Sequence, residues 1–522
     1  MTSSNIIVLC AFAFYMLVMI GIGAFYSRKT KNNEDYFLGG RGLGAWTAAI
    51  SAEASDMSGW LLMGLPGAFY LTGTGDIWIA IGLLIGTIIN WAFVSKRLRR
   101  YTIKAGNSLT IPSFFENRFR DKGALKIVSA LIIAIFFAVY TASAFSSGAK
   151  LFATLFGTDE NYSQVYVIGL IIAAVVILVY TLLGGFKAVC TTDLIQGMLM
   201  LVAIMSVPII AYAIISGNGG LDANLMKHAD IKGYEITSAQ AFINPFDGGL
   251  SWQGIISGLA WGLGYFGMPH ILVRFMAVKS EKEIKKSGSI AIIWVTIAFI
   301  ASFFIGIFGR AFVESNLNET TNETVFIRMI QQIFTENGIL IFIGGIFLCG
   351  ILAAVMSTAD SQLLVTASAI SEDMYKGVIN KKASEKSALM LGRIAVAVIA
   401  VIAFIIALDP NSSIMGLVSD AWAGFGAAFG PVVLLALFWK RSNAKGALAG
   451  MISGALTVIA WDYIPMISTA DGMVTIGNAS GIYSLAIGFP VALIVMIVVS
   501  LITKQPDNEI VSEFECVKTN NI

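Results

Sequence analysis

Long apolar runs, each about the length of a bilayer crossing and separated by short polar connections, dominate the chain. Windows of about 19 residues place spanning segments near 5–26, 43–72, 76–95, 125–155, 163–183, 188–216, 250–278, 288–309, 337–371, 388–408, 413–439, 446–464 and 479–503, thirteen in all. Two of these runs are interrupted at their centres. The second carries Glu53, Ser55, Asp56, Ser58 and Gly59 where an ordinary membrane helix carries Leu and Val, and the seventh carries Gly262, Gly264, Gly267 and Pro269. One carboxylate at the bilayer centre costs about 2.5–3.5 kcal/mol on insertion scales, so it marks a use rather than an accident. A break also frees backbone carbonyls, tolerated at membrane depth only where they are buried in protein or face a polar cavity. The stretch 52–60 therefore reads as a cation site.

The two breaks lie five spans apart, the spacing expected when a five-helix unit is repeated in inverted orientation and the first helix of each unit is broken. The pattern predicts an all-α polytopic membrane protein with thirteen transmembrane helices in a five-plus-five inverted repeat. Residues 1–42 hold the first helix and a loop, 43–216 the first repeat, 217–249 an outer loop, 250–440 the second repeat, 441–503 the last two helices and 504–522 a polar tail.

Charge sets the orientation. The connections 27–42, 96–124, 279–287, 373–387 and 440–445 hold most of the basic residues, so the positive-inside rule puts the N-terminus outside and the tail in the cytoplasm. Residues 6–26 have no basic residue before them and Arg28, Lys29 and Lys31 after them, the reverse of a cleaved signal peptide, and are expected to be the first span. Composition agrees with a bilayer partner: 57% of residues are hydrophobic and 13% charged, against about 25% charged in soluble domains. A net charge of +2 implies no nucleic-acid partner. Cys10, Cys190, Cys349 and Cys516 show no paired spacing and are expected as free thiols.

Enzyme chemistry finds little support. Gly73-Thr74-Gly75-Asp76 matches the GxGD string of intramembrane aspartyl proteases, but Asp76 falls in a short outer turn. His228 and His270 are the only histidines, with no HExxH pattern for zinc. A channel also uses broken helices and carbonyl rings, yet the two breaks here carry different polar residues.

The ninth span contains Ala353, Ala354, Ser357, Thr358, Asp360 and Ser361. A sodium ion is a hard cation that takes oxygen ligands, and neutral carbonyls and hydroxyls supply them. Ala354 lies one turn before Thr358, so its carbonyl and the hydroxyls of Ser357 and Thr358 reach one side of the helix. Trp261 and Tyr265 are four apart, which predicts a shared helix face offering an apolar wall with a hydroxyl at its edge.

The strings SAEASDMSGWLLMGLPGAFY from Ser51, WGLGYFGMPHILVRFMA from Trp261, LAAVMST from Leu352 and AWAGFGAAFGPVVL from Ala421 resemble the sodium:solute symporter family, and within it the bacterial members that carry proline. The resemblance runs from about Tyr26 to about Tyr463. It implies a LeuT-like fold in the cell membrane that is not an enzyme, with L-proline and sodium transported together. It also implies a sodium ion held by Ala54 and Met57 in the second span and by Ala354, Ser357 and Thr358 in the ninth. Arg41, Asp56, Ser58 and Gly59 match positions used in sodium binding or coupling, Asp193 matches a family aspartate near the cytoplasmic side, and Tyr140, Trp261, Tyr265 and Pro269 match proline-binding positions. A symporter for another small amino acid or organic solute is the alternative.

Two departures from the family pattern matter. Glu53 stands where those members have glycine and Asp360 where they have serine. Added carboxylates could deepen the field of a cation site, accept a proton, or pair with a basic residue such as Arg41 or Lys187. Asp193 has a plainer reading as a solvated residue near a helix start.

Overall fold

The computed structural model describes residues 2–27, 38–183, 185–245, 251–469 and 472–519; the basic cluster Arg28, Lys29 and Lys31 lies outside them. Leaving out three short helices of five to seven residues, the helices in chain order are α1 (Ser3–Ser27), α2 (Ala45–Asp56), α3 (Leu65–Thr72), α4 (Ile77–Ile89), α5 (Ser95–Lys104), α6 (Ile111–Phe119), α7 (Ala124–Phe156), α8 (Tyr162–Leu183) and α9 (Phe186–Gly217). They continue with α10 (Trp252–Ala260), α11 (Pro269–Ala277), α12 (Glu281–Phe312), α13 (Val325–Ile333), α14 (Gly338–Ser368), α15 (Glu385–Ile406), α16 (Ile414–Phe438), α17 (Ala444–Tyr463), α18 (Ser484–Ile502) and α19 (Asn508–Thr519). Among the described residues, 11 helices are long and apolar enough to cross a membrane, or up to 12 with the bent pair that joins α10 to α11. The thirteen windows differ from this count at the second and third runs. There α2 is only 12 residues long, and α3 to α5 form one helical stretch, Trp60–Lys104, interrupted by the turn Gly73–Asp76.

Leu17, Ile209, Ile293, Val401 and Ile494 are exposed, as suits helices whose outer faces meet hydrocarbon. Inside, α2 is enclosed by α9, α11, α12 and α14, and every residue from Ser51 to Trp60 is buried. Glycines allow the closest crossing. A Cβ at Gly86 would lie 2.3 Å from the Gly262 carbonyl oxygen, and one at Gly262 would lie 2.2 Å from that of Gly82, so α4 and the segment after α10 touch backbone to backbone.

Two features depart from the sequence reading. A short antiparallel hairpin, Pro465–Thr469 with Gly472–Thr475, interrupts the otherwise helical chain. Residues 508–519, read as part of a polar tail, form a helix whose Ile510, Phe514 and Val517 are buried. Phe514 packs on Tyr101 and beneath the guanidinium groups of Arg97 and Arg118, and Glu513 pairs with Arg120.

Candidate cation and substrate site

The break after α2 is a matter of redirected hydrogen bonds. Met57 N donates to Glu53 O (2.7 Å) and completes the last turn. Ser58 N, which a continuing helix would aim at Ala54 O, instead donates to Asp56 O (2.9 Å), and the helix restarts with Leu61 N on Ser58 O (3.1 Å). The restart needs a glycine, because a Cβ at Gly59 would fall 2.0 Å from Ser147 Oγ on α7. Ala54 O, released from its helical donor, accepts from Ser357 Oγ on α14 (2.7 Å). The same hydroxyl lies 3.3 Å from Ala354 O. A serine carries one hydroxyl proton, so two carbonyl oxygens converge on a single donor. Thr358 Oγ1 is buried beside them with no partner among the described residues. Met57 is fully buried at the break. Ala54, Ala354 and Ser357, from two helices distant in sequence, thus meet at one place, with Thr358 next to Ser357 along α14 and Met57 next to the break.

The other end of the break is aromatic. Asp56 O accepts from Tyr140 OH (3.0 Å) and Trp60 Nε1 (3.0 Å), while Asp56 Oδ2 accepts from Tyr265 OH (2.8 Å). Ser58 Oγ accepts from Trp60 N (3.4 Å). Trp261 and Tyr265 do not share one α-helical face. Residues Trp261–Phe266 form a 3₁₀ turn, in which residues four apart are rotated by about 120° rather than stacked. Trp261 stacks on Tyr483 (5.1 Å between centroids) and lies 6.4 Å from Trp60, whereas Tyr265 meets Trp422 edge-on (5.1 Å) and turns its hydroxyl to Asp56. Trp422 Nε1 donates to Trp261 O (2.7 Å). Pro269 opens α11, where its missing N–H costs nothing. Sequence reasoning missed Trp60, Trp422 and Tyr483 as members of this cluster, although Trp60 and Trp422 both lie within conspicuous strings.

Asp193 and Asp360 lie elsewhere, in a network the sequence did not expose. Asp193 is fully buried, which overturns its reading as a solvated residue. Its Oδ2 accepts from Arg274 Nη2 (3.1 Å) and from Ser51 Oγ (2.7 Å). Arg274 also donates to Ser51 Oγ (3.0 Å), to Ser361 Oγ (2.5 Å) and to His270 O (2.6 Å). Ser361 Oγ lies 3.4 Å from Asp360 Oδ1. The basic residue beside Asp360 is thus Arg274 rather than Arg41 or Lys187; Lys187 is exposed. A small cavity lined by Thr110, Phe186, Arg274, Ser361 and Ser368 abuts this network. Glu53 faces the opposite neighbour, its Oε1 accepting from Trp91 Nε1 (3.0 Å). Arg41 donates to Asn107 Oδ1 (3.0 Å), Thr102 Oγ1 (3.2 Å), Ser108 O (2.8 Å) and Met276 O (2.8 Å), tying the loop after α5 to the end of α11.

Comparison with known proteins follows the same lines. Residues 36–454 match the model of the sodium:solute symporter family. The sodium/proline symporters of Staphylococcus aureus strains JH9 and NCTC 8325 are each 44% identical over 501 residues, covering 95% of this chain and 92% of theirs. A solved structure of a Na+-coupled sialic acid symporter superposes with a TM-score of 0.74 at 19% identity, covering 96% of this chain and 99% of the other, which establishes a common fold. The chain belongs to the sodium:solute symporter family.

Proposed function

We propose that the chain carries L-proline into a bacterial cell together with sodium by alternating access across the plasma membrane. The single observation that carries the cation assignment is the convergence of Ala54 O, Ala354 O and Ser357 Oγ beside the unpartnered hydroxyl of Thr358. Oxygens crowded around one proton repel one another, and a hard cation relieves that repulsion. In this reading Ala54, Met57, Ala354, Ser357 and Thr358 hold the ion. Asp56, Ser58 and Gly59 join it to the substrate side, because Asp56 offers its backbone oxygen to Tyr140 and its carboxylate to Tyr265. Arg41, Asp193 and Asp360 act from further away, through the loop after α5 and through Arg274.

Proline is a zwitterion with an apolar ring. The N-terminal end of α11 at Pro269 offers a positive dipole end to its carboxylate, the end of α2 offers acceptors to its ammonium, and Tyr140, Trp261 and Tyr265 offer aromatic surface to the ring. The names of the Staphylococcus aureus relatives favour proline over another small solute. Counting α2 with α3, α4 with α5, and α10 with α11 as single spans and leaving out the short α6, α13 and α19 gives thirteen, with the two broken ones opening two inverted five-helix units and the N-terminus outside. With one sodium per proline, each 100 mV of membrane potential contributes about 2.3 kcal/mol, roughly 50-fold accumulation.

Radiolabelled proline uptake into proteoliposomes with imposed ion gradients tests the reading. An inward sodium gradient is expected to drive transient accumulation that an equal choline gradient does not. Uptake indifferent to sodium, or absent for proline, overturns it.

A further inference from the structure

A second set of buried oxygens lies where Tyr265 and Trp91 link α2 to the stretch that continues α4. Tyr265 gathers it. Its hydroxyl donates to Asp56 Oδ2 (2.8 Å) and faces the Thr87 hydroxyl, and its backbone oxygen accepts from Asn90 Nδ2 (3.0 Å). Trp91 Nε1, next to Asn90, donates to Glu53 Oε1 (3.0 Å). Glu53 and Asp56 are three residues apart on α2, and Thr87 and Asn90 are three apart on the stretch that continues α4, so each pair shares a helix face. Each of the four keeps one oxygen without a hydrogen-bond partner among the described residues: Glu53 Oε2, Asp56 Oδ1, Thr87 Oγ1 and Asn90 Oδ1. None of these residues is more than 2% exposed.

Charge sharpens the point. Neither Glu53 nor Asp56 has an ion-pair partner among the described residues, and the charged neighbour of Glu53 is Asp56 itself. A buried carboxyl that stays charged is paired with a base or coordinates a cation, and otherwise takes up a proton; here no base is present among the described residues, and the free oxygens around it are acceptors. The donor set is all oxygen, two carboxylates with an amide and a hydroxyl, which suits a hard cation. Four free oxygens fall short of the about six to eight that calcium takes. We infer that Glu53, Asp56, Thr87 and Asn90 form a second sodium site, separate from the one at Ala54 and Ser357. The inference rests on the sodium-coupled reading above and adds an ion to it. Glu53 supplies the second carboxylate and is the residue that separates this site from the one at Ala54 and Ser357.

Equilibrium binding of radiolabelled sodium to the purified full chain, without proline, tests both sites separately. Wild type is expected to bind two equivalents, Glu53→Gln one, and Ser357→Ala one. Glu53→Gln keeps the oxygen that Trp91 uses, and the near-isosteric Thr87→Val provides a second variant, expected to weaken the second equivalent at least threefold. A single equivalent in wild type that survives Glu53→Gln and Thr87→Val but is lost in Ser357→Ala overturns the second site and spares the first. Loss of one equivalent in Glu53→Gln with none lost in Ser357→Ala supports the second site and overturns the first. Displacement of the Glu53-dependent sodium by micromolar calcium overturns the assignment to a monovalent ion.

Discussion

Two pairs of acids stand on either side of α2, and they are answered differently. Asp193 pairs directly with Arg274, and Asp360 meets it through Ser361; the guanidinium reaches Asp193, Ser51 and Ser361 in one fork. Glu53 and Asp56 meet only neutral donors, Trp91 and Tyr265. Both pairs are buried to the same degree, so burial alone does not separate a structural acid from a ligand. What separates them is whether the protein supplies its own cation. Where it does, the acids join helices α9, α11 and α14; where it does not, the acids are the ones we infer to hold a second sodium ion.

The strongest way to break that comparison is to remove the resident cation. Arg274→Met leaves Asp193 and Asp360 buried without it, and loss of one partner from a buried pair costs about 3–5 kcal/mol. Thermal unfolding in detergent is expected to show a large loss of stability, partly recovered by adding Asp193→Asn. An unchanged melting temperature would place Arg274 outside any structural role.

A smaller effect is expected at the aromatic wall. Trp261→Ala removes a ring stacked on Tyr483 and tilted against Trp60 and is expected to weaken proline binding by about 1–3 kcal/mol, as for loss of a large buried side chain. Isothermal titration with proline at saturating sodium measures it, and sodium affinity without proline should stay near the wild-type value.

Ser357→Ala removes one of the converging oxygens and is expected to raise the sodium needed for half-maximal uptake about tenfold, or about 1.4 kcal/mol. Thr358→Ala should act in the same direction with normal expression. Wild-type sodium dependence in both would move the ion elsewhere.

The mildest change tests the acid that Arg274 already answers. Asp360→Ser leaves Asp193 to pair with Arg274, so uptake should persist with a sodium requirement raised only about twofold to threefold, under about 1 kcal/mol. A loss as large as that of Ser357→Ala would make Asp360 a ligand and dissolve the distinction between the two acid pairs.

Much of this was visible in the chain. Span positions follow from hydropathy over a bilayer's length, and the break at Met57 and Ser58 from carboxylates and hydroxyls set in an apolar run. Ser357 and Ala354 are legible because their spacing is one helical turn. Arg274 is visible too, as a charge in the apolar run after Pro269, but its partners Ser51, Asp193 and Ser361 come from three other helices that no local period connects. The shared face of Trp261 and Tyr265 fails for a local reason: Gly262, Gly264 and Gly267 let the backbone wind tighter than an α-helix. The docked helix α19 was hidden in a polar tail, although Ile510, Phe514 and Val517 already carry helical spacing.

One small backbone contact has mechanical weight. Leu43 N donates to Ala277 O (3.1 Å) and Lys279 N donates to Leu43 O (2.9 Å), so the approach to α2 and the exit from α11 are joined as a one-residue strand pair. Arg41 on Met276 O and Arg99 on the carbonyls of Val278 and Lys279 brace the same spot. These bonds are almost all made to main-chain atoms, so side-chain substitutions leave the strand pair itself in place. The halves of the two broken spans that meet there behave as one strut, and a tilt of either carries the other with it. Within each broken span the helical hydrogen bonding is interrupted at Met57–Ser58 and Gly267–Met268, so a relative tilt of the two halves is expected to bend the chain there.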